Sequence, residues 1–87
     1  MVEKIEQYSS LIEDESGVSY LVEACCDTTP SGLWEGWLEF YPMGSDKPVL
    51  RTERETTQPN RKALEYWATG LEPIYFEGAF ERAYVKQ

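Results

Sequence analysis

The sequence predicts an α+β fold: a four-stranded antiparallel sheet followed by two helices packed on one of its faces, in the order ββββαα. Three observations predict it. Between residues 8 and 57, runs rich in β-branched and aromatic residues are separated by clusters of Gly, Pro, Asp and Ser. Beyond residue 58 the apolar spacing becomes helical, first in Ala63, Leu64, Trp67, Ala68 and Leu71, then in Phe76, Ala79, Phe80, Ala83 and Tyr84. Each helical stretch opens on an X-Pro pair, Gln58-Pro59 and Glu72-Pro73, and proline suits the first turn of a helix. A sheet covered on one face by its helices buries both patterns at once.

Residues 1–7 read as frayed. Ile5, Tyr8 and Ile12 also fit a short helix, but a hairpin is the preferred reading, with strands over 8–14 and 18–27 and Gly17 supplying the positive φ of the turn. After the turn formers at 28–32, a third strand covers 33–41. Trp34, Gly36, Leu38 and Phe40 point to one side of it, and Leu33, Glu35, Trp37, Glu39 and Tyr41 to the other. A loop over 42–48 leads to a fourth strand, 49–57. The first helix is expected over 59–69, with Gln58 as N-cap and Gly70 in the left-handed position that ends it. The second is expected over 73–84, with Gly78 inside at a cost of about 1 kcal/mol relative to Ala. The core should bring Leu64, Trp67, Ala68, Phe76 and Phe80 against Leu38 and Phe40.

Eighty-seven residues, 41% hydrophobic and 14% aromatic, fit a single domain spanning 1–87 with a small core. The charge is lopsided. Residues 1–40 hold nine acids and one base, Lys4, whereas residues 41–87 hold seven of each, so the net −8 sits in the first half. Direct binding to nucleic acid or to an anionic membrane is disfavoured, because both are negative. Cys25 and Cys26 are adjacent and form no disulfide framework. No signal peptide and no run near the length of a membrane span are visible, which predicts a reduced, cytoplasmic protein.

From Trp34 to Ala83 the strings WEGWLEF, LRTERETTQPN, EYWATGL and EGAFERA resemble a family of short bacterial proteins without an assigned function. The resemblance covers a little over half the chain. It implies a stand-alone bacterial domain and brings no catalytic residues with it.

Chemistry has few footholds. The absence of His removes the usual general base and every Ser-His or Cys-His arrangement. Neither a metal-binding spacing nor a phosphate loop is present, so no cofactor is predicted. Carboxylate pairs exist, such as Glu53 with Glu55, which share one strand side, but on a sheet edge such pairs are usually solvated. The strand-to-helix junction is a candidate anion site: Arg51, Arg54, Thr56, Thr57 and Gln58, with Arg61 and Lys62 beyond, surround free N–H groups at a helix start. The open sheet face, with Leu21, Trp37 and Tyr41, is a candidate interface for a protein partner or a second copy of the chain. An exposed Trp37 would make Trp37→Arg a folded monomer. The leading expectation is a non-enzymatic protein-interaction module. An acidic mimic that inhibits a nucleic-acid-binding protein comes second, and a carboxylate-based enzyme third.

Overall fold

The structure, a computed structural model, describes residues 1–85. Its strands are β1 (Glu3–Glu13), β2 (Ser19–Thr28), β3 (Trp34–Pro42), β4 (Leu50–Arg51) and β5 (Thr56–Gln58), and its helices α1 (Arg61–Thr69) and α2 (Pro73–Val85). The first four strands lie in the order β1-β2-β3-β4, all antiparallel, and β5 continues the line of β4 along β3. The fold is α+β, as expected. Alternation in β2 and β3 puts Tyr20, Val22, Ala24, Leu38 and Phe40 on one face, where they pack with Leu50, Ala68, Phe76, Ala79, Phe80 and Ala83. Leu64 is also buried, and Trp67 is half-buried against this core.

Four expectations are corrected. The N-terminus is not frayed: Glu3 pairs with Cys26 and Lys4 with Cys25, and Ile5 packs on the core. Register shifts between Lys4 and Glu6 and between Gln7 and Leu11 insert extra residues into β1. Bulges of this kind let Ile5, Tyr8 and Ile12 all meet the core and give a strand a helix-like apolar spacing.

The predicted fourth strand is broken over residues 52–55. Thr52 N–H donates to the Leu38 carbonyl at 3.0 Å, and Leu38 N–H donates to the Thr52 hydroxyl rather than to a carbonyl. The ladder resumes where Glu55 N–H donates to the Gly36 carbonyl at 2.8 Å. Four residues, 52–55, thus stand against two on β3, Trp37 and Leu38, and a side chain supplies the missing acceptor.

Asn60, not Gln58, caps α1. It has extended backbone, and its side-chain oxygen accepts from Ala63 N–H at 2.8 Å. Gln58 stays in β5 because the following proline holds it out of the helical region. Finally, Gly70 ends α1 at φ −90° and ψ −4°, in the right-handed region. Gly17 does adopt the positive φ expected of its turn, at +88°.

Candidate functional site

The sheet face away from the helices carries Leu21, Trp37 and Tyr41, with Leu21 directly opposite Tyr41 and Cys25 opposite Trp37. Trp37 is nevertheless only 2% exposed, and this corrects the expectation of a free indole. The Arg51 guanidinium lies 4.1 Å from the ring centroid, and the indole N–H donates to Glu39 at 2.9 Å. Tyr41 donates to the other oxygen of the same carboxylate. Burial pushes the Glu39 carboxyl up, but hydrogen bonds from Tyr41, Trp37 and Cys25 and the field of Arg51 outweigh it, and the net shift is downward. Tyr41 is pushed up, first by its bond to Glu39 and then by burial. The Cys25 thiol rises to about 12, chiefly through burial. This face is a self-satisfied aromatic and carboxylate lattice. Leu21 and Tyr41, both half-buried, are what remain of the expected interface.

The predicted anion residues do not converge. Arg51 pairs opposite Glu39 and stacks on Trp37, on the open face. Thr56 pairs opposite Gly36 with its methyl group on the helix side, and its hydroxyl accepts from Gln58. Thr57 is exposed opposite Glu35. Arg54 is exposed in the 52–55 break, beside a small cleft shared with Glu53, Glu55 and Arg82. Arg61 is held by Glu3 and Glu65. The carboxylate pair, Glu53 and Glu55, lines that same cleft beside Arg54. Glu55 turns to α2, where it accepts from Tyr75 and Arg82, and pushes the Tyr75 hydroxyl, already raised by burial, up to about 12.

What the fold does assemble is a groove of about 730 Å³ between the β1–β2 turn and α2. Its apolar lining is Ile12, Phe80, Tyr84 and Val85. Phe80 and Tyr84 stack at 5.6 Å between centroids, which keeps Tyr84 lying along the helix. The walls are acidic, Glu15 on the turn side and Glu77 and Glu81 on α2, while the Glu13 side chain, opposite Ser19, belongs to the open sheet face. None of the Glu15, Glu77 and Glu81 carboxylates has an ion-pair or hydrogen-bond partner among the described residues.

Asp14, next to Glu15, behaves differently. It points inward and accepts from Ser16 N–H and hydroxyl, Val18 N–H, the Tyr20 hydroxyl and Lys47 Nζ. The bond from Lys47 outweighs burial and holds its carboxyl well below the usual range. The turn is thereby locked, and Glu15 is left exposed at the groove.

Sequence reasoning registered the acidic first half and the helical spacing of Phe80 and Tyr84. It could not register the groove, whose walls are more than 60 residues apart in the chain. Among the described residues, no group of three or more Cys, Asp and Glu side chains is arranged to hold a metal ion, and no helix is long and apolar enough to cross a membrane. No family model, curated protein or solved structure matches the chain.

Proposed function

We propose that the chain is a non-enzymatic protein-interaction module whose partner sits in the groove between the β1–β2 turn and α2. One observation carries this reading: exposed apolar side chains lie between two walls of carboxylates that nothing in the described chain neutralises. Tyr84 and Val85 are 38% and 75% exposed beside the half-buried Ile12, a concentration of apolar surface that marks an interaction site when polar groups rim it. Enzymatic use of the carboxylates has less support. Asp14, Glu39 and Glu55, the enclosed ones, are each tied by several hydrogen bonds within the fold. Self-association through this groove is opposed by the chain's own charge, since a second copy would set acidic wall against acidic wall. A partner of different sequence fits better.

A photo-crosslinking side chain at position 84, compared with one at position 57 on the far sheet face, tests the reading inside the host cell. A discrete protein adduct from position 84 and none from position 57 is expected. Adducts from neither position, or equally from both, would overturn the groove as the binding surface.

A further inference from the structure

We infer that the occupant of the groove is a basic amphipathic helix of the partner protein, with apolar side chains against Phe80 and Tyr84 and Lys or Arg flanking them on both sides. This rests on the groove being the partner-binding surface and specifies what enters it.

Charge sets the sign. Glu77 and Glu81 stand one turn apart on the same side of α2, where like charges repel. Glu15 lines the opposite side, on the turn, and among the described residues the one lysine that reaches this turn is spent inward on Asp14. A ligand cation between the walls relieves repulsion on both. A purely cationic ligand, however, would leave the apolar lining in water. Ile12, Phe80 and Tyr84 line the groove together with Glu15, Glu77 and Glu81, so the ligand that satisfies the site presents an apolar stripe flanked by basic groups.

Shape favours a helix over an extended segment. An extended segment binds by adding to a free strand edge, and β1 is the edge strand here. Its register shifts interrupt the row of donors and acceptors that such pairing needs. A helix brings its backbone hydrogen bonds already made. From Glu77 to Val85, α2 offers about 12 Å of wall, enough for two turns of a docked helix with apolar residues at i, i+3, i+4 and i+7.

The test is fluorescence anisotropy with a labelled leucine–lysine peptide of about 14 residues, leucines at helical spacing. A leucine–glutamate peptide of the same pattern and a shuffled leucine–lysine peptide are the controls. Expected are binding by the first peptide only, weakened by salt, and a loss of about tenfold or more in the Glu77→Lys/Glu81→Lys double variant. Single variants then separate site from net charge. Glu81→Lys should weaken binding several-fold, whereas Glu35→Lys, with the same change in net charge on the far face, should leave it within about twofold. Thermal melts establish that both variants are folded. Equal binding of the shuffled peptide, equal loss in the two single variants, or no binding of the leucine–lysine peptide would overturn the inference. If adducts through position 84 nonetheless form, with a segment that lacks basic residues, the groove stands as the binding surface and only the class of its occupant fails.

Discussion

Lys47 Nζ lies 2.8 Å from Asp14 Oδ2, a pairing that crosses 33 residues and ties the β3–β4 loop to the β1–β2 turn. Because the folded-state pKa of Asp14 is below its ordinary 3.8, the folded chain binds its proton less readily than the unfolded chain does. Its contribution to stability is therefore complete above about pH 4 and is lost as the pH falls toward the folded-state value. Melting temperatures of the native protein should drop steeply below pH 4. Asp14→Asn should be less stable at pH 7 and show a shallower acid limb. Parallel acid limbs in the two proteins would show that Asp14 does not carry this dependence.

Gly36 and Gly70 should respond oppositely to alanine. A Cβ at Gly36 would stand 2.9 Å from both Leu64 Cδ1 and Trp67 Cζ3, where α1 crosses β3. Gly36→Ala is expected to cost about 1–3 kcal/mol by overpacking. Gly70 has negative φ, and a Cβ there meets nothing closer than 3.6 Å. Gly70→Ala should be neutral or stabilising by about 0.4–1 kcal/mol, through the smaller entropy of the unfolded chain. Urea denaturation of the two variants beside the native protein measures both.

These cases also show what the linear sequence could carry. Alternation in β2 and β3 was legible because both strands are regular and one face of each meets the core. The break at Thr52 was not, since a threonine in a strand and a threonine replacing a ladder carbonyl look alike until Leu38 is placed beside it. The cap was misread for a related reason. Gln58-Pro59 and Pro59-Asn60 both suit a helix start, and only the bond from Ala63 N–H to Asn60 selects between them. Trp37 fell on the expected face, but its cover comes from Arg51, fourteen residues away. The groove needed the most distant association of all, residues 11–15 with 77–85.

Arg51 over Trp37 leads to a third prediction. The cation shields the indole from water and interacts with the ring face, an arrangement worth about 0.5–2 kcal/mol. Arg51→Ala should lose about that much stability and increase acrylamide quenching of tryptophan fluorescence. Trp37→Ala should cost about 3–5 kcal/mol, as for a ring buried on all sides. Trp37→Arg should fail to fold, in contrast to what a free indole would allow. A folded Trp37→Arg protein, by circular dichroism, would show that the open face tolerates a charge where the packing forbids it.

Cys25 and Cys26 give the last prediction. They are neighbours in β2 and so point to opposite faces, Cys25 toward Trp37 and Cys26 toward Gly36. Both are buried and free. Burial is the main cause that raises each thiol, Cys25 to about 12. The thiolate is the reactive form, so at pH 8 neither sulfur should react with a disulfide reagent in the folded chain. Labelling should instead require opening of β2, which is paired on both sides, and the two thiols should react together at the rate or population of unfolding. The pH dependence follows with its sign. Above the ordinary thiol value of 9.0 the unfolded chain releases protons that the folded chain keeps, so stability should decline as the pH rises from about 9 toward 12. Replacing both by Ser should flatten that alkaline limb, at the cost of burying two hydroxyls. Stoichiometric labelling of one thiol under native conditions, faster than global unfolding measured by circular dichroism, would mean that β2 opens locally on one face and would overturn the prediction.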